Sequence, residues 1–203
     1  MSNQTRRSNK GFSIKDLVTI GIFTALLFVT MLVGGIVFAP NPVLTFYMPL
    51  GAAFLGGPVM MLLIAKVPKR GVIAITGILC GLIWFASGMH WAMDLGYIVG
   101  GIIGDFIAGR GKYKKQMLNM LAFICISLGA TGSYISYFAD RNAWSSYMLK
   151  GGTSGSYIEV MNTAAKNWML AVTIIGTMVV AGGSAWVGSI LLKIQFEKAG
   201  ITA

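Results

Sequence analysis

Long apolar runs separated by short polar segments make up most of this chain. About 20 consecutive apolar residues are needed to cross a bilayer as an α-helix. Six stretches reach roughly this length, at residues 15–38, 43–67, 71–89, 91–109, 116–138 and 167–192. The pattern predicts an all-α, polytopic membrane protein: a six-helix bundle that forms a single transmembrane domain over residues 1–203.

Proline and clustered charges mark the turns between these runs. Proline in "APNPV" (39–43) ends the first helix, because proline disfavours helical geometry in the residue before it. "KVPKRG" (66–71) and "GRGKYKKQ" (109–116) mark two further turns. Only a couple of residues around His90 separate the third and fourth runs, which predicts a tight helical hairpin. The N-terminal segment lacks the apolar core and cleavage site of a signal peptide, so the first run is expected to stay in the protein.

Composition agrees with this class of protein. The 203 residues are 56% hydrophobic and 11% charged, whereas a soluble domain carries about 25% charged residues. The net charge of +10 comes from short clusters between the apolar runs, not from a basic face. We therefore expect the lipid bilayer as a partner and no nucleic acid.

The distribution of lysine and arginine predicts the orientation. Of the 16 basic residues, 13 fall on one predicted side, and only Arg141, Lys150 and Lys166 fall on the other. Cytoplasmic loops are enriched in basic residues, so both termini are predicted to be cytoplasmic. His90, Asp94 and the segment 139–166 are then external.

His90, Asp94 and Tyr97 carry the most unusual polar pattern. Their i, i+4, i+7 spacing puts them on one face of the fourth predicted helix. Ionisable groups within a span normally face a bundle interior or a wet cavity. The spacing therefore indicates a ligand pocket open to the outside. The alternative is an interfacial His–Asp pair, with Trp91 in the aromatic belt of the membrane.

Aromatic side chains gather at the same predicted level, and Tyr147, Tyr157 and Trp168 follow nearby. Aromatic walls with a few polar groups are typical of small-molecule sites. Each aromatic residue taken alone is also explained by the aromatic belt at the membrane interface. The predicted ligand-binding residues are Trp84, His90, Trp91, Asp94, Tyr97, Tyr134, Tyr137, Arg141 and Trp144.

The segment 139–166 is long for a simple connector and rich in aromatic and polar residues, with a flexible hinge predicted at "KGGTSGS" (150–156). Loops of this length are usually functional, often as lids. The alternative is a merely solvated external loop.

The sequence offers few of the residues and motifs that catalysis requires. The chain has no GxxxxGK[ST] nucleotide loop. One histidine and two cysteines, Cys80 and Cys125, both inside apolar runs, do not suggest a metal site. We expect no enzyme activity, no cofactor and no metal. Asp105 is most simply a partner of Arg110 or Lys112, with proton coupling as the alternative.

The first helix gives a family resemblance. "KDLVTIGIFTALLFVTMLVG" has the small-xxx-small spacing Gly21-x-x-x-Ala25 soon after a basic segment. It resembles the first helix of S components, the substrate-binding subunits of energy-coupling factor (ECF) transporters, where alanine is commoner at the position of Gly21. "GYIVGGIIGDFIAGRGKYKK" and the long segment before the last helix further resemble the Trep_Strep branch of these proteins.

The resemblance implies a binding subunit in the plasma membrane of a prokaryote. Such a subunit captures a micronutrient from outside and docks, here through Gly21 and Ala25, onto a membrane scaffold subunit coupled to two ATPase subunits. The segments 39–43, 88–92 and 139–166 then line or close the pocket. Vitamins, precursors, modified bases and porphyrins all stay open as ligands. The main rival is a stand-alone proton-coupled secondary transporter or small channel that uses Asp94 and Asp105, and a more distant one is a membrane-embedded enzyme.

Overall fold

The structure is a computed structural model that describes residues 11–198, with side chains described as far as residue 194. These residues contain no β-strand, so the all-α prediction is confirmed for them. Short 3-10 turns at Leu44–Tyr47 and Leu128–Thr131 precede α2 and α6. The helices are α1 (Ile14–Ile36), α2 (Met48–Lys66), α3 (Val72–Ala86), α4 (Trp91–Arg110), α5 (Gln116–Ser127), α6 (Gly132–Ala139), α7 (Arg141–Lys150), α8 (Gly155–Ala164) and α9 (Trp168–Lys198).

Five helical stretches in the described part of the chain are long and apolar enough to cross a membrane. They are Ile14–Ile36, Leu44–Lys66, Trp91–Arg110, Gln116–Ala139 and Trp168–Ile194. Each matches a predicted span to within a few residues. The remaining predicted span, 71–89, corresponds to α3, which has only 15 residues. At 1.5 Å per residue it extends about 22 Å, less than the ~30 Å hydrocarbon core of a bilayer. The six-span count is therefore not confirmed, while a helical membrane protein is.

Both ends of α3 are fixed by local chemistry. The chain enters α3 at Gly71, whose φ of 96° favours glycine, and it leaves through Gly88 at φ 76°. His90 then caps α4 with its ring nitrogen. The predicted tight hairpin is confirmed, because a Cβ added to Gly77 of α3 would lie 2.5 Å from the backbone oxygen of Tyr97 on α4.

The interface between α2 and α9 is adapted to a proline. Pro58 lies inside α2 and has no N–H to donate to the carbonyl of Phe54. The hydroxyl of Ser184 on α9 donates to that carbonyl at 2.6 Å. The hydroxyl oxygen of Ser184 also accepts from the backbone N–H of Gly57 at 2.9 Å. One buried serine thus binds two backbone groups of α2, including the carbonyl that Pro58 leaves without a helix donor.

At the end of the bundle where α1 begins, acidic side chains tie helices together. Lys69 and Asp16 form an ion pair at 2.6 Å. Asp105 accepts from the backbone N–H of Gly71 at 2.9 Å, from that of Ile73 at 3.1 Å and from the Tyr113 hydroxyl at 3.0 Å. Burial first, and then the Asp105 charge, raise the pKa of Tyr113, which keeps this hydroxyl a donor.

The partner expected for Asp105 was therefore wrong. Its carboxylate caps the start of α3 and binds a tyrosine, and no ion pair joins it to Arg110 or Lys112 among the described residues. Arg110 instead lies over the ring of Phe106, 4.5 Å from its centroid. Backbone N–H groups at a helix start attract a carboxylate through the helix dipole as well as through hydrogen bonds, and sequence spacing does not reveal that competition.

The segment 139–166 folds into two short helices, α7 and α8, where an external loop with a flexible hinge was expected. Asp140 caps α7 by accepting from the N–H of Ala143 at 2.9 Å. Ser154 caps α8 by accepting from Tyr157 at 3.3 Å. The predicted hinge shrinks to the turn between them, where Gly152 has a φ of 94°. Both helices pack on the bundle end opposite the Asp16–Lys69 pair.

The structure groups the connecting segments at two ends of the bundle, as the basic pattern predicted. Which end faces the cytoplasm stays a prediction. Arg6, Arg7 and Lys10, which contributed to it, lie outside the described residues.

Candidate ligand-binding cavity

A cavity of about 380 Å³ lies between the helix bundle and α7–α8. Ligand pockets typically measure ~300–1,000 Å³, so this one suits a small molecule. Its wall combines methionine, aromatic and hydroxyl side chains from most of the helices. The lining residues of these three kinds are Met31, Met48, Met89, Met93, Met148, Met161, Trp84, Tyr97, Tyr134, Trp144, Tyr157, Thr45, Ser133, Thr153 and Ser154.

The helices of the bundle supply the inner wall. The indole of Trp84 packs on Phe28 with ring centroids 4.8 Å apart. The Tyr97 hydroxyl donates to the Met31 sulfur at 3.6 Å. The Trp84 indole N–H lies near Tyr97 but makes no hydrogen bond of normal geometry within the described structure. This wall is held by packed rings on α1, α3 and α4, and is therefore expected to be rigid.

The outer wall is held by polar contacts from α7 and α8. Trp144 Nε1 donates to Ser133 Oγ at 3.0 Å, and its ring meets Tyr137 edge-on with centroids 5.1 Å apart. The Tyr157 hydroxyl donates to the backbone oxygen of Ala39 at 2.8 Å. These contacts fix the two helices, here called the cover (residues 141–164), over the cavity.

Four of the nine predicted ligand-binding residues line the cavity: Trp84, Tyr97, Tyr134 and Trp144. They come from four different helices. The fold therefore brings together the aromatic side chains that the sequence placed at one level.

The other five do not line the cavity. Trp91 is half exposed on the outside of α4. Tyr137 is fully buried, and its hydroxyl donates to Asn162 on α8 at 2.8 Å. Arg141 lies over the ring of Tyr137, 5.4 Å from its centroid. His90 and Asp94 are buried just beside the lining residues Met89, Met93 and Tyr97.

The alternative of an interfacial His90–Asp94 pair is wrong, because the two side chains make no hydrogen bond to each other. Nδ1 of His90 accepts from the N–H of Ala92 at 3.2 Å. Its ring lies edge-on to Tyr147 at 4.7 Å between centroids. Burial lowers the pKa of His90, so the imidazole is neutral near pH 7. His90 thus joins α4 to α7 of the cover.

Asp94 is the least satisfied polar group of the site. Its side chain is 5% exposed, and neither carboxylate oxygen has a hydrogen-bond partner among the described residues. It lies where α4 packs on α3, because a Cβ added to Gly81 would meet its backbone oxygen at 2.7 Å. Its contact with a ligand stays a prediction.

Methionines were the part of the site that sequence reasoning missed. Six of the 13 methionines line the cavity. A signal existed in Met89 and Met93, which flank His90, but methionine inside an apolar run does not differ in pattern from any other span residue.

Gly21 and Ala25, the predicted docking residues, both lie exposed on α1. A Cβ added to Gly21 would meet nothing within 4 Å. Around them, the exposed apolar side chains include Val18, Ile22 and Val29. The two small residues are therefore free of internal packing, while docking itself stays a prediction.

The fold and the cavity define a helical integral membrane protein with a candidate small-molecule site. Residues 14–198 match the family model described as a hypothetical bacterial integral membrane protein (Trep_Strep). The chain belongs to this family, which supports a location in a bacterial membrane. No curated protein and no solved structure matches the chain.

Proposed function

We propose that this protein is the substrate-binding subunit, or S component, of an ECF-type importer. In this role it captures a small micronutrient from outside the cell. A scaffold subunit with two ATPase subunits then drives the delivery of that molecule into the cytoplasm. The protein itself performs no chemistry and needs no cofactor.

The covered cavity is the observation that carries this proposal. Its inner wall is built from membrane helices, and its outer wall from the two short helices of the cover. A subunit that captures and later releases a ligand needs a site that opens without unfolding the bundle. The cover meets this need. It is attached through individual side-chain hydrogen bonds, for example to Ser133 and Ala39, and these can break while the helices of the bundle stay packed.

The exposed face of α1 supports a partner in the membrane. Small residues allow helix backbones to approach closely where water does not drive association. Gly21 and Ala25 offer such a place on a helix that is mostly exposed along its length. Lipid also covers apolar helix faces, so the partner must be tested directly.

Docking is tested with the double variant Gly21→Leu, Ala25→Leu. We expect it to fold normally, because neither residue is buried, but to lose co-purification with the scaffold and ATPase subunits and to lose uptake. Gly183→Leu is the matched control, since Gly183 is exposed on α9 and its added Cβ also meets nothing within 4 Å. Complex formation by the double variant equal to that of the control would contradict the docking role.

The orientation is tested with single cysteines in place of Ser146 and Lys114, both exposed, in a background without Cys80 and Cys125. An impermeant thiol reagent added to intact cells should label position 146 only. Labelling at position 114 alone would reverse the orientation and put the cavity on the cytoplasmic side.

A stand-alone proton-coupled transporter is the second candidate, and Asp94 is the observation in its favour. A buried carboxylate without a hydrogen-bond partner is a candidate proton-binding group. Asp105 gives this alternative no support, because three donors already bind its carboxylate. Proteoliposomes that contain this chain alone distinguish the two candidates. A proton flux that Asp94→Asn abolishes favours the transporter. No proton flux with the unchanged protein favours the binding subunit.

A further inference from the structure

We infer that the cavity takes an uncharged, largely apolar molecule, and not a charged vitamin or amino-acid-like nutrient. The inference rests on the proposed function only in treating the cavity as the substrate site. It is drawn from the chemistry of the cavity wall.

No acidic, basic or histidine side chain of the described residues lines this cavity. Three such residues lie close to lining residues in the sequence, and two of them, Arg141 and His90, are engaged elsewhere. The guanidinium of Arg141 lies over Tyr137, the His90 ring nitrogen caps α4, and Asp94 lies beside the wall without forming part of it. An ion that enters a low-dielectric site loses hydration, which only a counter-charge or several hydrogen bonds replace. The cavity offers no counter-charge.

The tyrosine hydroxyls of the wall are already engaged with the protein. Tyr97 donates to a methionine sulfur, Tyr134 to the backbone oxygen of Thr45, and Tyr157 to that of Ala39. Their protons are therefore not available to a ligand unless these contacts break. A strongly polar molecule would leave its own groups unpaired, which costs binding energy.

A limited polar rim stays available. Ser133 accepts from Trp144 and keeps its own hydroxyl proton, and Thr153 lies at the turn between the two cover helices. One or two hydrogen bonds from this rim suit a hydroxyl or carbonyl group on a molecule that is otherwise apolar.

The methionines favour the same class of ligand. Their unbranched, polarisable side chains adapt to irregular apolar shapes and make favourable contacts with aromatic rings. Six of them surround the cavity, including Met31 and Met93 on the inner wall and Met148 on the cover. Such a wall binds a ligand through contact area and dispersion. An uncharged molecule gains these contacts without the desolvation cost that an ion pays.

The test compares three probes of nearly one shape that differ in charge: 2-naphthalenemethanol, 2-naphthoate and 2-naphthylmethylammonium. The full-length protein in nanodiscs is titrated with each, and the dissociation constant is obtained from the rise in unfolding temperature with probe concentration. We expect the alcohol to bind at least tenfold more tightly than either ion. Equal or tighter binding of the carboxylate would overturn the inference. Tighter binding of the ammonium would also overturn it, and its loss in Asp94→Asn would assign that preference to Asp94.

Binding in the cavity is separated from partition into lipid by a matched pair of variants. Met48→Trp fills the cavity from its wall, whereas Met117→Trp changes an exposed methionine on α5. Met48→Trp should lose the alcohol-induced shift and Met117→Trp should keep it. Ala52→Leu provides a second, smaller block at another lining residue. An alcohol effect that persists in both blocked variants lies outside the cavity and overturns the inference.

Failure of this inference is distinct from failure of the proposed function. A preference for a charged probe that Met48→Trp abolishes would change the class of ligand but leave a substrate site. Loss of the scaffold complex in the docking experiment, by contrast, concerns Gly21 and Ala25, neither of which lines the cavity. The two results are obtained on separate samples with separate readouts.

Discussion

Trp144 is the residue whose removal should open the cover without unfolding the bundle. Its side chain is only 5% exposed. It donates to Ser133 at 3.0 Å, and its ring contacts Tyr137, with centroids 5.1 Å apart, and stacks loosely with His90 at 6.3 Å. Trp144→Ala removes the hydrogen bond and the ring contacts together. Trp144→Phe keeps an aromatic ring and removes the hydrogen bond.

The expected magnitudes differ between the two changes. Truncating a buried tryptophan to alanine costs about 3–5 kcal/mol, whereas one hydrogen bond contributes about 0.5–1.5 kcal/mol. Since each 1.4 kcal/mol is a factor of ten, Trp144→Ala should raise the open population of the cover by a factor of ~100 or more. Trp144→Phe should raise it by a factor of about 2–10.

Amide hydrogen exchange of residues 141–150 measures this opening directly, because protected amides exchange through local opening. We expect Trp144→Ala to accelerate exchange in α7 while the amides of α2 and α9 stay protected. Trp168→Ala is the matched control, since Trp168 is 55% exposed. If Trp144→Ala and Trp168→Ala give the same exchange in α7, Trp144 does not hold the cover.

Two further predictions concern the bundle and its pH response. Ser184→Ala should destabilise the protein by about 1–3 kcal/mol, because the Phe54 carbonyl loses its donor and the Gly57 N–H loses its bond to the serine. Ser189→Ala, which loses only a bond to its own helix, should cost less in the same denaturation assay. An equal cost would contradict the α2–α9 bridge. For His90, burial lowers the pKa of the folded state, so the unfolded state binds the proton first. Stability should then fall as the pH drops below about 6.5 and show no such loss above it, and His90→Asn, which still caps a helix, should remove this part of the slope in unfolding temperatures from pH 8 to 5.

The membrane helices were predictable because run length alone defines them. An apolar run that must keep its backbone hydrogen bonds in lipid folds as a helix, and its ends fall at prolines and charges. The predicted span 43–67, for example, is Leu44–Lys66 in the structure. For α3 this reasoning overestimated the length. The run extends to residue 89, but a tertiary contact with Asp105 fixes the start of α3, and a local turn at Gly88 fixes its end.

The site was only partly predictable for a geometric reason. The i, i+4 rule places two side chains together only when both residues are helical. His90 is the N-cap of α4, with φ −69° and ψ 128°, so its side chain turns back to the N–H of Ala92 and does not meet Asp94. A histidine can cap a helix in this way, but Ser, Thr, Asp and Asn are the usual cap residues, and the sequence gives no reason to expect it here.

Segment 139–166 was expected to line or close the pocket, but the helices of the cover were missed for a related reason. Polar residues such as Asp140 and Ser154 occur both in loops and at helix starts. Without an apolar run of span length behind them, they were interpreted as loop residues. The structure uses each as a cap for a ten-residue helix. Short helices of this length are marginal on their own, so their packing against the bundle, through Trp144 and Tyr157, decides that they form.

The exposed face of α1 connects the two surfaces on which the proposed function depends. Gly21 and Ala25 share that face with Leu32 and Ile36, at helical spacings of 4, 7 and 4 residues. Leu32 and Ile36 are exposed and also line the cavity. A partner helix that docks at Gly21 and follows α1 for 15 residues, about 22 Å, would therefore reach the cavity wall. Under the proposed function, docking and ligand release then act on one helix. Coupling between them needs no network of residues beyond that helix.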